Sequence, residues 1–333
     1  MKALALFSGG LDSLLAIRLM QESGIEVEGL YFHQPFLPVE VQEKKINRIK
    51  KLIDQTSARL HVVHLGRDYL NMLENPCFGY GRSFNPCLDC HLFFLKKAGE
   101  MLVSMNASFI ITGEVLGQRP KSQFTGAFEI IDRAAGLQGL VVRPLSAKLL
   151  QKTIPEIKGW ISLDHCPAIK GRNRRTQMEL AEKYGLEYAS PAGGCLLTEE
   201  VYGAKIKDYL RHVGHLNLDA MLLCSLGRHF RFSHGFKAIV GRNEAENKEL
   251  IRYFSIQPEQ ACLLQCVNVQ GPAALGQGIL SDTAIEWLAK IVARYSDASD
   301  GQLTDILVKK AGGDLSSFGI SADKKIALEQ YRI

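Results

Sequence analysis

Through the first half of the chain, short continuous apolar runs alternate with stretches whose apolar positions recur at helical spacing. Residues 3–7, 27–32, 60–65, 109–112 and 140–142 read as strands, and residues 13–21, 39–55 and 92–105 as helices between them. A strand buried on both faces needs apolar residues at every position, and parallel strands need long crossovers, so this alternation predicts an α/β fold with a doubly wound, mostly parallel sheet. In such sheets ligands bind beyond the carboxyl ends of the strands, where Ser8, His33 and Gly113 fall. From 144 to 191 the pattern becomes irregular, punctuated by Pro144, Pro155, Pro167 and Gly171 before a helix at 174–184, and predicts an extension closing over the sheet. After Pro191-Ala192-Gly193-Gly194 come a helix at 202–212 and a hairpin-like stretch at 230–236. These place a domain boundary near residue 200, with domains of 1–200 and 201–333, the second smaller and α+β.

The chain has 333 residues, 46% hydrophobic and 23% charged, enough to bury two ordinary cores. No apolar run approaches membrane-spanning length, and the sequence enters its first strand with no charged leader and apolar signal segment, which gives the expectation of a cytoplasmic protein with no membrane partner. In that compartment the eight cysteines are not a disulfide framework, and clustered ones read as metal ligands or reactive thiols. A net charge of +5 is mild, but its distribution is uneven. Lys170, Arg172, Arg174 and Arg175 crowd one segment, and Arg228, Arg231, Lys237 and Arg242 another, as phosphate-backbone contacts would require; a solvated surface is the plainer alternative.

The first strand feeds into Ser8-Gly9-Gly10-Leu11-Asp12-Ser13 and then a helix. Glycines let the backbone approach an anion, and the free amides of a helix start favour negative charge, so the loop suits phosphate. Asp12 beside phosphates requires a cation such as Mg²⁺ between them. The loop is not G-x-x-x-x-G-K-[ST]. It resembles the SGG-x-DS loop of the PP-loop ATP pyrophosphatases, which grip the pyrophosphate end of ATP and transfer AMP to a substrate oxygen. Leu30-Tyr31-Phe32-His33-Gln34-Pro35 and Ile111-Thr112-Gly113-Glu114-Val115-Leu116-Gly117-Gln118, continuing through Arg119-Pro120-Lys121 to Ser122-Gln123, extend the likeness. Over roughly its first 200 residues the chain resembles the catalytic domain of tRNA 4-thiouridine synthetases. The resemblance implies that backbone around Phe32 and His33 contacts adenine, and that Gly113 and Gln118 border the nucleotide and the target base. A strand-end histidine with a structural hydrogen bond is the competing reading of His33.

Those synthetases carry RNA-binding modules ahead of the PP-loop domain, whereas here that domain starts at residue 1, so RNA binding is expected elsewhere. Residues 226–231, with Gly235-Phe236-Lys237-Ala238-Ile239-Val240-Gly241-Arg242-Asn243 and Asn247, resemble the RNA-binding NFACT-R domain. Interleaved aromatic and basic residues suit stacking on bases and pairing with phosphates. A small β-rich core with surface arginines is the competing account.

Asn85-Pro86-Cys87-Leu88-Asp89-Cys90-His91 opens a helix, and Gly193-Gly194-Cys195 lies far downstream. A Cys-x-x-Cys at a helix start brings two sulfurs together and lowers their pKa. Haem attachment through Cys-x-x-Cys-His is excluded by compartment. Structural zinc would need Cys195 and one of His91, Cys77 or Cys166 as well. Many tRNA thiolation enzymes hold a 4Fe-4S cluster on a Cys-x-x-Cys and one distant cysteine, an arrangement that Cys87, Cys90 and Cys195 resemble; three ligands leave one iron open to sulfide. A cluster-free route would place a persulfide on one cysteine and resolve it with another. Cys224, Cys262 and Cys266 sit in apolar stretches and read as packing residues.

The resemblance implies an ATP-dependent tRNA sulfurtransferase. A uracil oxygen attacks the α-phosphorus of ATP on the Ser8–Ser13 loop, with Mg²⁺ held partly by Asp12, and sulfur delivered at Cys87, Cys90 and Cys195 then displaces AMP. The implied partners are tRNA and a sulfur donor, either sulfide or a persulfide carrier. The alternatives are a PP-loop ligase for a small molecule with a zinc site, and a nucleotide-binding RNA adaptor without catalysis. Oligomeric state, a homodimer included, is left open.

Overall fold

The computed structural model describes residues 1–119, 122–188, 194–232 and 235–333, and the chain divides into two units, Met1–Glu199 and Glu200–Ile333. Pro120, Lys121, Pro191, Ala192, Gly193, Ser233 and His234 lie outside the described residues.

In the first unit the elements run β1 (Lys2–Leu6), α1 (Leu11–Glu22), β2 (Glu26–His33), α2 (Val39–Asp54), β3 (Arg59–His64), α3 (Arg67–Glu74), α4 (Cys87–Met101), β4 (Phe109–Thr112), α5 (Thr125–Ala134), β5 (Val141–Val142), α6 (Ile154–Ile157) and α7 (Arg175–Lys183). The strands form one sheet in the order β3-β2-β1-β4-β5, parallel throughout. The doubly wound parallel sheet expected from the apolar runs is therefore the observed one. Alternation along β1 shows how both faces are covered. Ala3 and Ala5 join a cluster with Leu14, Ile17 and Ile53 from α1 and α2, while Leu4 joins Leu95 of α4 and Ile131 of α5 on the other face. Burying each such leucine or isoleucine contributes about 1.5–3 kcal/mol.

Two short helices, α3 and α5, escape the apolar pattern because eight and ten residues are too few to establish a period. α4 starts at Cys87, ahead of the periodic stretch at 92–105 and where the Cys-x-x-Cys segment is expected to open a helix, directly after Pro86, whose ring cannot donate the amide a helix start leaves free anyway. The expected extension packs against α1: Leu145, Ile161, Cys166, Ile169, Ala181 and Leu186 share its core cluster. β1 is flanked by β2 on one side and β4 on the other, so the connection reverses direction there and leaves a crevice beyond their carboxyl ends.

The second unit comprises α8 (Glu200–Val213), α9 (Leu218–Ser225), β6 (Arg228–Phe232), β7 (Phe236–Val240), α10 (Glu244–Ile256), β8 (Ala261–Cys266), β9 (Ala274–Gly278), α11 (Asp282–Arg294), β10 (Leu303–Lys309) and β11 (Leu315–Ser321). Its six strands form a separate antiparallel sheet, β11-β10-β8-β9-β7-β6. α11 packs into one hydrophobic cluster with Phe236, Ala238 and Val240, and α10 into another with Ile239, Leu263 and Leu275, so β7 is buried on both faces. Among the described residues, no helix is long and apolar enough to cross a membrane.

Candidate nucleotide and thiol site

The loop after β1 is closed by its own serines. Ser13 Oγ donates to Gly10 O at 2.8 Å and accepts from Ser8 N at 3.3 Å, and the two serine hydroxyls lie 3.2 Å apart. Gly9 sits at φ +76, and a Cβ there would lie 3.0 Å from Ile49 Cγ1, so conformation and space both require glycine. Gly113, from the loop after β4, approaches more closely still. A Cβ on it would lie 2.5 Å from Ser13 N and 2.6 Å from the Asp12 carbonyl carbon, so the second loop rests directly on the backbone of the first.

Asp12 Oδ2 accepts from Gln118 Nε2 at 3.2 Å and from an Arg174 guanidinium nitrogen at 2.9 Å. Its other oxygen, Oδ1, is buried and has no partner among the described residues. An orphaned carboxylate oxygen in a phosphate-type loop fits a hard cation such as Mg²⁺. Arg174 departs from the expectation that grouped it with Lys170, Arg172 and Arg175 as a tRNA-backbone contact. Those three are exposed, Arg175 pairing with Glu179, whereas Arg174 is half-buried and turned onto Asp12.

His33 ends β2 fully buried, with Nε2 2.7 Å from Gln42 Oε1 and its ring edge-on to His64. Burial pushes its pKa down, which keeps the imidazole neutral. Its carbonyl accepts from Leu65 N, and Phe32 stacks on Phe94 with ring centroids 4.9 Å apart.

Cys87 and Cys90 share one face of the first turn of α4. Cys195 opens the short 3-10 turn Leu196–Thr198, and that segment is tied to the loop before α4 by Phe84 N donating to Leu197 O and Ser83 Oγ donating to Glu199 O. The three thiols lie near enough to sense one another, since charge on Cys87 raises the pKa of both Cys90 and Cys195 and charge on Cys195 raises that of Cys90. Their environments differ. Burial pushes Cys90 up to about 12 despite the Tyr69 hydroxyl 3.3 Å from its sulfur. Burial also raises Cys195. Burial acts on Cys87 too, but His91, Ser122 and Arg119 outweigh it and bring the thiol down to about 7. Three thiols suit a cluster in donor type, yet among the described residues no group of three His, Cys, Asp or Glu is placed to hold a metal ion. Of the other ligands considered for zinc, Cys166 is packed in the core beside α1, Cys77 is exposed, and His91 is engaged elsewhere.

That engagement is a partly buried relay. His91 hydrogen-bonds Cys87, and its Nδ1 lies 2.8 Å from Glu114 Oε1. Glu114 Oε2 accepts from Thr112 Oγ1 at 3.0 Å and Arg143 Nε at 2.9 Å, and Arg143 clamps Asp132 through two 2.8 Å bonds. Burial works against the Glu114 charge, but Arg143, His91 and Thr112 hold the carboxyl at about 2. Burial likewise disfavours the imidazolium, but Cys87 and Glu114 raise His91 to about 9. Sequence reasoning considered His91 only as a zinc ligand and gave Glu114, Arg143 and Tyr69 no role. The i, i+4 spacing of Cys87 and His91 on a helix was the available signal.

In the second unit, Lys237 is only 4% exposed and sits 3.4 Å from Asp208, and burial pushes its pKa down. It therefore cannot act as the expected surface phosphate contact, because every position of β7 is buried. Arg231 clamps the same Asp208 at 2.9 and 2.6 Å, and Arg242 Nε bonds Glu246 at 2.9 Å. Arg228 lies over the Tyr295 ring at 4.6 Å.

The chain thus carries a glycine-rich, phosphate-type loop on a parallel α/β unit, followed by a second unit built on an antiparallel sheet. Residues 1–155 match the family described as Thiamine biosynthesis protein (ThiI), and residues 227–332 match the NFACT protein RNA binding domain. A probable tRNA sulfurtransferase of Thermoanaerobacter sp. (strain X514) is 36% identical over 120 residues, 35% of this chain and 30% of that protein. A tRNA-specific 2-thiouridylase MnmA of Sulfurimonas denitrificans is 32% identical over 123 residues, covering 34% of this chain and 35% of the relative. The chain thus spans about a third of the length of these relatives. Among solved structures, the U34-tRNA thiolase NcsA from Methanococcus maripaludis with its 4Fe-4S cluster is 17% identical over 67% of this chain and 70% of that one, with a TM-score of 0.35, too low to bear on function.

Proposed function

We propose that this protein is an ATP-dependent tRNA sulfurtransferase that adenylates a uridine carbonyl oxygen and replaces it with sulfur. The observation that carries this reading is that residues following β4 touch both chemistries. Gly113 and Gln118 lie against Asp12 and Ser13, while Glu114 and Ser122 lie against His91 and Cys87. Nucleotide activation and thiol chemistry then share one wall, as a two-step exchange at a single carbon demands. The curated names of the relatives matched over the first unit, and the RNA-binding description of the match over the second, agree with it.

In this reading the glycine-rich loop from Ser8 to Gly10 receives the phosphates, and Asp12 would hold Mg²⁺ through the orphaned Oδ1. The uracil oxygen attacks the α-phosphorus and pyrophosphate leaves; sulfur then bonds to the same carbon and AMP departs with the oxygen. A 4Fe-4S cluster on Cys87, Cys90 and Cys195 would supply an iron without a protein thiolate, where sulfide can bind. A second reading of the sulfur step is favoured by the Cys87–His91 contact. A persulfide on Cys87 attacks the carbon through its terminal sulfur, AMP leaves, and the Cys90 or Cys195 thiolate attacks Cys87 Sγ, which frees the thiolated base and leaves a disulfide for an external thiol to reduce. The eight free cysteines suit a reducing, cytoplasmic setting. The exposed Lys170, Arg172 and Arg175, together with the NFACT-type segment, are the proposed tRNA contacts.

The deciding experiment is mass spectrometry of tRNA nucleosides from a strain lacking this protein, joined to anaerobic purification. Loss of one thiouridine supports the reading, and unchanged nucleosides overturn it. Brown protein whose visible absorption disappears in Cys90→Ala supports the cluster. Colourless, iron-free protein that accumulates persulfide on Cys87 supports the second route, and zinc-loaded protein with unchanged nucleosides points to a small-molecule ligase.

A further inference from the structure

Arg174 reaches the nucleotide loop from far along the chain, and the route is held firmly. Lys170 bridges Leu116 in parallel, and Gly171 N donates to Leu116 O at 2.7 Å. Ile169 N donates to Leu145 O at 2.8 Å, and Ser146 Oγ accepts from Leu116 N while donating to Ile169 O. Gly171 then turns at φ +87, and Arg174 arrives as the residue preceding α7. Its place over Asp12 is thus set by the same loop that carries Gly113 and Gln118.

The contact it makes there is incomplete. A guanidinium is a planar fork suited to two parallel bonds with a carboxylate or a phosphate. Arg174 touches Asp12 at one oxygen, its Nε is buried without a partner among the described residues, and Asp12 Oδ1 is buried and unpartnered as well. Both groups hold unused hydrogen-bonding capacity. A cation at Oδ1 and an anion at Nε would satisfy both, and a metal-bound polyphosphate is one ligand that carries both charges.

The geometry points to Arg174 as a positioning residue for the nucleotide, which neutralises Asp12 before nucleotide binds and turns its fork to the phosphates when a divalent cation takes the carboxylate. This rests on the ATP reading above and adds a residue and an exchange to it. Arg174 then has two opposed effects: it competes with bare metal for Asp12 and assists metal-bound nucleotide.

The test compares the full-length chain with Arg174→Ala and Arg174→Lys by calorimetric titration of Mg·ATP, Mn²⁺ binding by electron paramagnetic resonance without nucleotide, and tRNA binding without nucleotide. Expected for Arg174→Ala are Mg·ATP affinity lowered about tenfold or more, Mn²⁺ affinity raised, and tRNA affinity within about twofold of the starting protein. Arg174→Lys keeps the charge without the fork, so it should also lose Mg·ATP affinity, to a smaller extent; it carries the test if the alanine variant fails to fold. A merely structural role would weaken metal and nucleotide binding together, and a tRNA-backbone role would lower tRNA affinity with Mg·ATP affinity unchanged; either overturns the inference. If the starting protein binds no Mg·ATP, the nucleotide reading falls and takes this with it. If it binds and the variants match it, this inference alone fails.

Discussion

His91 and Glu114 meet at 2.8 Å, joining the first turn of α4 to the loop after β4, and the imidazole in turn holds the Cys87 sulfur. The three groups form a line in which a buried carboxylate, kept ionised by Arg143, favours the imidazolium that favours a thiolate. The Cys-x-x-Cys thiols are therefore chemically unequal: Cys87 is brought down to about 7 and Cys90 pushed up to about 12.

Alkylation of metal-free protein reads this inequality directly. Cys87 should react with iodoacetamide at a rate that inflects near pH 7, far ahead of Cys90. In His91→Gln only Ser122 and Arg119 still oppose burial, so the inflection moves up from about 7 toward the ordinary 9.0 and the rate at pH 7.5 falls about threefold or more. Peptide mass spectrometry across a pH series measures both; equal rates in the two proteins would refute the relay.

Arg143 holds two carboxylates in a setting where its own side chain is 4% exposed. Replacing it by methionine leaves Glu114 and Asp132 buried without their counter-ion and should cost about 3–5 kcal/mol, measured by urea unfolding. Loss of less than about 1 kcal/mol would show that water reaches the pair.

The same cluster predicts a pH window. The folded Glu114 carboxyl is held at about 2 against an ordinary 4.5, so its contribution to stability is complete above pH 4.5 and disappears as the pH falls from there toward 2. Glu114→Gln should therefore be least stable relative to the starting protein near neutrality, with the gap narrowing through that range. A gap independent of pH in urea titrations would contradict the assignment.

Gly113→Ala puts a methyl group against the backbone of Asp12 and Ser13, at 2.5–2.6 Å, where no side-chain rotation can relieve it. The two loops must separate, so Mg·ATP affinity should drop at least about tenfold. Affinity unchanged in calorimetry would show that the loops yield freely.

Buried Lys237 and exposed Arg172 should part company in RNA binding. Arg172→Ala is expected to reduce the slope of log K for tRNA against log salt by about one phosphate contact. Lys237→Met should leave that slope alone, because the side chain is buried and Asp208 keeps its two bonds from Arg231. A slope change in Lys237→Met would mean that the side chain reaches RNA after all.

What the sequence by itself determined is local. Apolar runs at 3–7 and 109–112 are legible as buried parallel strands because both faces of such strands must be apolar, and Ser8-Gly9-Gly10 is legible as a phosphate-type loop because glycine spacing and a helix start are written in consecutive residues. The tertiary structure alone decided which side chains meet. Arg174 stands with Lys170, Arg172 and Arg175 in a basic segment, yet the bridge between Leu116 and Lys170 and the turn at Gly171 bring it onto Asp12 while its neighbours stay in solvent. Lys237 reads as one more surface charge, yet lies on a strand covered on both faces. Glu114, Arg143 and Asp132 come from separate elements, and only packing in a low-dielectric interior makes their charges strong enough to separate the two thiols of α4.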